Sequence, residues 1–369
     1  MVSIAHEILF HDKLRFFITV VSLGFAIVMT IYDLAMFFGV TGDSVALIDH
    51  AQAELWISKK EETHLNAPST ISHNALGRVL RREGVQQACA LDISVGNLKI
   101  GDTRPVQVVG IDPACPLFQP WDVVAGEVSD LRRKDTVIVD DLALRGLSQA
   151  RLGEIVELNG EELSIVGITH GNKSFSSPFV YINLDTFEDL TGKLGLYNFV
   201  AVQLNPGAEP GPVINSLIHA DPDLAVTPAP QFRQATIMAL IAQGVGMIFV
   251  IVFVGVLVGM LTITLTMYTA TMELLRDFAI LKALGATRRK IWGIVLEQAI
   301  TQTTASFGIG LAASFGVNSL VETASGIRGH FPTLVMLACF LLMVTLAILG
   351  SLISIRKATR VDPAMVFRA

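Results

Sequence analysis

The sequence predicts a membrane α-helical protein, with four transmembrane helices and an α+β extracytoplasmic domain between the first and second spans. Three observations predict it. The chain of 369 residues is 51% hydrophobic and only 16% charged, too apolar for an ordinary soluble domain. Four apolar runs, near residues 16–40, 237–268, 291–320 and 332–355, are each long enough to cross ~30 Å of hydrocarbon. The basic residues gather beside those runs, whereas acid predominates in the long stretch between the first two. With no broad basic face, a nucleic-acid partner is excluded.

Residues 1–15 mix Ile4, Ile8, Leu9 and Leu14 with His6, Glu7, Asp12 and Lys13, the pattern of a cytoplasmic amphipathic helix at a membrane face. The first span covers 16–40. A cleaved signal peptide competes for this run, but its apolar region is too long and no small-residue cleavage site follows. Asp33 is its outlier. At that depth it is either a functional group facing a cavity or partner helix, or a hydrated residue near the interface.

Residues 41–230 have the size of a soluble domain. Asn159-Gly160 between Glu154–Leu158 and Glu161–Val166 is a hairpin signal, because both turn positions require positive φ. Val106–Ile111, Thr136–Val139, Phe179–Ile182 and Phe199–Leu204 read as further strands. Ser72–Arg82, Asp141–Leu147, Leu184–Leu190 and Pro212–Ala220 read as helices, and Asp221-Pro222 closes the last. Cys89 and Cys115 share this region and can pair if it is extracytoplasmic.

Residues 231–270 predict a stalk continuous with the second span, since the apolar run outreaches the bilayer at ~1.5 Å per residue. Gln231, Arg233, Gln234 and Gln243 decorate its outer part. Gly255 and Gly259 form a small-xxx-small pair that permits close packing and is a candidate dimer seam. The third span, 291–320, carries Glu297, Gln298 and Gln302, so it is expected to face other helices. A short extracytoplasmic loop, 321–331, leads to the fourth span, 332–355, and a basic cytoplasmic tail, 356–369. Lys13, Arg15, the cluster from Arg276 to Lys290 and the tail all fall on one side, so the positive-inside rule places both termini in the cytoplasm.

The segment 271–290 is short, amphipathic and basic. Leu274, Phe278 and Leu281, flanked by Leu275 and Leu284, recur at helical spacing; Glu273, Arg276, Asp277 and Lys282 take other positions, and Gly285 supplies a stop. A helix of this kind lies on the membrane surface or docks into another protein. Docking is the expectation adopted. Arg288, Arg289 and Lys290 read first as membrane-surface anchors and second as contacts to an acidic partner. There is no Walker-type phosphate loop, no H-E-x-x-H, no paired-cysteine zinc spacing and no nucleophile elbow, so catalysis and metal binding have no constellation to rest on. His64 and His170 read as solvated loop residues.

The stretch Asp277-Phe278-Ala279-Ile280-Leu281-Lys282-Ala283-Leu284-Gly285-Ala286-Thr287-Arg288-Arg289 resembles the cytoplasmic loop of FtsX/MacB-type ABC transporter permeases. Asp12-Lys13-Leu14-Arg15 is similar to the family's approach to its first span, Glu297 to an acidic position in its third, and Arg360-Val361-Asp362-Pro363-Ala364 to its C-terminal Asp-Pro motif. Val109-Gly110-Ile111-Asp112-Pro113 and Ile165-Val166-Gly167 resemble its outer domain. Size and spans look most like DevC- and HrtB-type export permeases. Two features depart: Asp277 replaces the usual Glu, and Leu274 or Leu275 stands where an Arg often precedes it.

The resemblance implies a non-catalytic homodimer in the inner membrane, working with a dimeric ABC ATPase subunit that carries the ATP and Mg. No cofactor is expected on this chain. The loop helix is then the coupling element, with Leu274, Asp277, Phe278, Leu281, Lys282, Leu284 and Gly285 as its contact set. DevC-like members use a periplasmic adaptor and an outer-membrane channel. HrtB-like members export haem, so haem enters only as a substrate. A hydrophobic or amphipathic cargo taken from the outer leaflet would meet Met29, Asp33, Met36 and Gln243. The competing expectations are FtsX-like signalling to a periplasmic enzyme and extraction of lipoproteins or lipids.

Overall fold

The computed structural model describes residues 13–67, 70–144, 151–174, 177–273, 280, 284–325 and 328–359. They form two compact units: a helical one, up to Gly39 and from Gly246 onward, and an α+β one, Val40–Val245.

In the helical unit, α1 (Lys13–Ser44) is the first apolar helix and runs on into the other unit's sequence. Its Leu23, Ile27 and Ile31 pack with Ala299 of the third long helix and with Cys339, Met343 and Ala347 of the fourth. Three helices are long and apolar enough to cross a membrane: Phe16–Ser44, Arg288–Thr323 and Thr333–Leu352. A fourth arises if the interrupted pair Ala229–Gly244 and Phe249–Thr262 is counted as one span. That interruption corrects the continuous stalk expected from sequence. The helix Ala229–Leu240 passes into a wider turn, Ile241–Val245, where Gly244 adopts φ 120°, a conformation that a helix cannot contain and that glycine alone adopts freely.

The α+β unit is built on one mixed ten-stranded sheet. In chain order its strands are β1 (Leu55–Lys59), β3 (Val85–Ile100), β4 (Asp102–Ile111), β5 (Val123–Gly126), β6 (Thr136–Asp140), β7 (Ile155–Leu158), β8 (Glu161–Thr169), β9 (Phe179–Asn183), β11 (Phe199–Leu204) and β12 (Leu224–Pro228). The spatial order is β12-β1-β11-β3-β4-β9-β6-β8-β5, with β7 on β3 and β8. The pairs β4–β9 and β6–β8 are parallel, and the rest antiparallel. A separate ribbon pairs β2 (Ile71–Ser72) with β10 (Leu196–Tyr197).

Period-two alternation splits the core. Phe199 and Ala201 point into a cluster with Trp56, Leu91, Phe179, Tyr181 and Phe232; Val200 and Val202 point the other way, onto Ala75, Val79, Val213 and Leu217 of the covering helices His73–Leu80 and Pro210–Ala220. Gly110 lets the helix Leu184–Thr191 approach closely: a Cβ there would lie 2.9 Å from the Phe187 ring. The predicted hairpin is present, with Asn159 at φ 52° and Gly160 at φ 99°.

Cys89 and Cys115 are joined in a disulfide with their Cα atoms 6.2 Å apart. The helix expected from Asp141 does not form over its described part. Residues 141–144 are a turn, because the Asp140 carboxylate accepts the Leu142 N–H and the Asp140 carbonyl accepts that of Ala143; residues 145–150 lie outside the described residues.

Candidate functional site: amphipathic segment, packed helices and domain anchors

Of the amphipathic segment, the structure describes residues 271–273, which end the helix Met247–Glu273, residue 280, and the exit from 284 onward. Ile280 is helical, and the Leu284 N–H donates to its carbonyl at 3.0 Å, closing the last turn. Gly285 follows at φ 92°, the left-handed stop anticipated there. Leu284 is 80% exposed, a large apolar side chain left uncovered by the described residues. Arg288, Arg289 and Lys290 are exposed on the first turn of the next helix, Arg288–Ser325. Leu274, Asp277, Phe278, Leu281 and Lys282 lie outside the described residues, as do the first twelve residues and the Asp-Pro motif.

Inside the helical unit the polar positions of the third long helix turn inward. Gln298, Thr303, Ser306 and Ser314 are buried, whereas Glu297 is exposed. Glycine sets the closest approaches. A Cβ on Gly255 would stand 3.0 Å from Thr30 Oγ1, and one on Gly259 would stand 3.7 Å from the Ala26 Cβ. Both glycines therefore face α1; an added Cβ would be tight at Gly255 and in ordinary contact at Gly259. Before the fourth helix, the His330 N–H donates to the Ala35 carbonyl at 2.8 Å and the Gly329 N–H to Asn318 Oδ1 at 2.8 Å, while Gly39 lies directly against the Arg328 carbonyl. The segment 328–330 thus straps α1 to the third and fourth helices.

Met29, Asp33 and Met36 stand at i, i+4 and i+7 and so share one face of α1. Met29 is 40% exposed, and Asp33 Oδ2 is buried with no hydrogen-bond partner. Gln243 is exposed on the turn that closes the α+β unit.

In the α+β unit, the segments leading in and out are fixed to the core and to each other. Asp49, on the helix Ala46–His50, takes a two-pronged ion pair from Arg233 of the helix Ala229–Leu240, at 2.7 and 3.2 Å. One residue before Arg233, the fully buried Phe232 stacks on Trp56 with centroids 4.9 Å apart and planes 7° from parallel. Thr236 Oγ1, one turn on, accepts the Leu65 N–H at 3.1 Å. On the incoming side Asp43 pairs with Lys173 at 3.0 Å, and His50 stacks on Trp121 at 3.9 Å.

Trp121 is itself held by a buried polar network. Asn172 Nδ2 donates to the Trp121 carbonyl, Tyr181 Oη donates to Asn172 Oδ1, and Asp140 accepts from Thr169 Oγ1 and from the Asn172 N–H at 2.6 Å. Burial pushes the Asp140 carboxyl up to about 6 despite those donors. His170, exposed and hydrogen-bonded to Asp141 at 2.7 Å, is shifted upward by that carboxylate. Under the Leu184–Thr191 helix, Asp92 is 1% exposed; Oδ1 accepts the Asn198 N–H at 2.7 Å, Oδ2 has no hydrogen-bond partner, and burial pushes the group up to about 7.

Residues 16–220 match the family model described as the MacB-like periplasmic core domain, and residues 249–363 that of the FtsX-like permease C-terminal region. The chain belongs to the FtsX/MacB-type ABC transporter permeases. An uncharacterized ABC transporter permease of Mycobacterium bovis is 23% identical over 364 residues, 96% of either chain. YknZ of Bacillus subtilis is 24% identical over 59% of this chain and 57% of its own length. A Methanocaldococcus jannaschii permease is 29% identical over 41% of this chain, a match spanning only 39% of that protein. Among solved structures, the periplasmic region of MacB from Actinobacillus actinomycetemcomitans aligns over 50% of this chain and 92% of its own, at 13% identity and a TM-score of 0.40. The extracellular domain of YknZ aligns over 47% and 98%, at 16% identity and 0.37.

For an FtsX/MacB-type permease, the sequence pointed to Leu284 and Gly285 through local turn chemistry. It did not point to the domain anchors. Arg233 reads in sequence as a stalk ornament, and its partner Asp49 is 184 positions away. Among the described residues no group of His, Cys, Asp and Glu is placed to hold a metal.

Proposed function

We propose that this permease is the transmembrane half of an ATP-driven exporter, which converts hydrolysis on a separate ATPase dimer into motion of its spans and its α+β domain. The ATPase carries ATP and Mg. It docks on the segment 271–290, where the exposed Leu284 and, by the helical spacing of the sequence, Phe278 and Leu281 supply the apolar contact. The chain acts as a homodimer in the inner membrane, with both termini cytoplasmic and the α+β domain outside. Two opposed features support that orientation: exposed Arg288, Arg289 and Lys290 on one side, and the Cys89–Cys115 disulfide, which persists in an oxidising compartment, on the other.

One observation carries the mechanical reading. The segment that leaves the α+β domain is anchored to its core by the buried Phe232–Trp56 stack and is paired with the incoming segment by the exposed Asp49–Arg233 contact, so displacement of that outgoing segment moves the domain. The cargo is hydrophobic or amphipathic and is met by Met29, Asp33 and Met36 on one face of α1. A periplasmic adaptor and an outer-membrane channel complete the route as in DevC-like systems.

The test is Leu284→Asp in the assembled complex. It should abolish stimulation of the ATPase and export of cargo while leaving membrane insertion intact. Unchanged stimulation defeats the coupling role of this segment. Loss of stimulation with a cell-wall phenotype and no cargo accumulation moves the assignment to FtsX-like signalling, and ATP-driven release of membrane-anchored lipoprotein moves it to extraction.

A further inference from the structure

Asp33 is the sole acidic residue between Lys13 and Gly42, in a helix whose apolar window has a mean hydropathy of 2.0. An ionisable group there is costly and persists where it has a partner. Within the described residues the protein supplies none: Oδ2 is buried without a hydrogen bond, and Arg328 of the same unit lies 3.9 Å from Glu322 instead. The carboxyl group is left without compensation from the described residues.

Its surroundings define what that is. Met29 and Met36, one turn below and above, put thioether sulfurs on the same face of α1. Phe37, also one turn above, meets Phe249 of the helix Met247–Glu273 with ring centroids 4.7 Å apart and planes inclined by 54°. Met29 and Phe249 are 40% and 47% exposed, so this wall is open at the surface of the unit. Carboxylate oxygens, thioether sulfurs and the faces of phenyl rings share one property: each attracts positive charge, and none donates a hydrogen bond. An anion would meet the Asp33 carboxyl itself, with the neighbouring Tyr32 hydroxyl as a donor beside it. A neutral polar head group finds too few partners to repay its own desolvation. A delocalised or quaternary cation, which needs charge compensation and apolar contact rather than hydrogen bonds, fits the carboxyl, thioether and phenyl groups of this face.

We propose that Asp33, with Met29, Met36, Phe37 and Phe249, forms a binding site for the positively charged head of a lipophilic cation. The assignment deepens the export reading and rests on it, since it names the class of cargo. Asp33 lies seven residues before Val40, ~10 Å along the helix axis, a depth suited to the head group of an amphiphile whose tail remains in hydrocarbon.

The test uses two ions of matched shape and opposite sign, tetraphenylphosphonium and tetraphenylborate, bound to the full chain in lipid nanodiscs with empty nanodiscs subtracted. The wild type should bind the phosphonium saturably. Asp33→Asn should weaken it at least tenfold, Asp33→Glu should keep it within about threefold, and Phe37→Ala should weaken it severalfold, all three variants remaining monodisperse with unchanged helix content. The borate should show no saturable binding to any form. Retention of phosphonium binding by Asp33→Asn overturns the proposal, and so does borate binding that Asp33→Asn abolishes. Absence of phosphonium binding to the wild type also overturns it. That failure is separable from failure of the export reading, which Leu284→Asp decides without reference to any cation.

Discussion

If the helix Ala229–Leu240 is held to the α+β domain by its buried ring rather than by its visible ion pair, adjacent residues should differ sharply on truncation. Phe232 is 0% exposed, stacked on Trp56 at 4.9 Å and edge-on to Phe199 at 5.7 Å. Phe232→Ala removes a ring that the surroundings cannot refill, for which ~3–5 kcal/mol is the usual cost. Arg233 and Asp49 keep 43% and 42% of their side-chain surface in solvent. Their two-pronged geometry is good, but water screens it, and Arg233→Ala should cost at most ~1 kcal/mol. For a domain of this size 1 kcal/mol moves the unfolding midpoint by roughly 2–4 °C, giving about 6–20 °C for Phe232→Ala and under about 4 °C for Arg233→Ala. Thermal unfolding of the full chain in detergent, read on α+β-domain amide exchange, separates the two. Equal losses would refute the reasoning and assign the anchoring to charge.

Burial raises Asp92 to about 7, above ~3.9 for a free aspartate, so the folded state holds the proton more tightly. Its contribution is complete below pH ~4 and is lost as pH rises through 7, ~4 kcal/mol in all at 1.36 kcal/mol per unit. Asp92→Asn keeps an acceptor for the Asn198 N–H and should flatten the stability profile between those pH values, leaving only the smaller fall due to Asp140; an unchanged slope in pH-dependent unfolding contradicts this. Two glycines near the end of α1 should respond with opposite sign. Gly39→Ala drives a methyl group into the Arg328 carbonyl and should cost ~1–3 kcal/mol. Gly42→Ala, with open space around it, should gain up to ~1 kcal/mol from helix propensity, and unfolding midpoints that move together would dismiss the strap.

What was readable in the sequence was what local chemistry decides. Apolar length marks the long helices, Asn159-Gly160 marks the hairpin because both positions need positive φ, and Gly285 marks the end of the segment for the same reason. β3 was not readable although it runs from Val85 to Ile100 through the middle of the sheet. Gln86, Gln87, Gly96 and Asn97 give it little strand propensity, and pairing with β4 and β11 on either side overrides that. Gly244 sits in an apolar run where a lone glycine is usually tolerated, so the helix break left no sign until its φ was seen. The anchors Asp49–Arg233, Asp43–Lys173 and His50–Trp121 join residues at long sequence separation, and no local rule brings them together. Asp33 is the intermediate case: its cost in an apolar helix was plain from the sequence, whereas its lack of a partner required the packing around it.

The central claim is that the force-receiving segment and the domain it moves lie on opposite sides of one membrane. The direct measurement is labelling of single introduced cysteines, Leu284→Cys and Val95→Cys, with a membrane-impermeant maleimide in intact and permeabilised cells. Both positions are 80% exposed, Cys89 and Cys115 are consumed by their disulfide, and Cys339 is buried, so the background is low. The account predicts that position 95 labels in intact cells and position 284 only after permeabilisation. Labelling of both positions in intact cells, or of neither until permeabilisation, would contradict it.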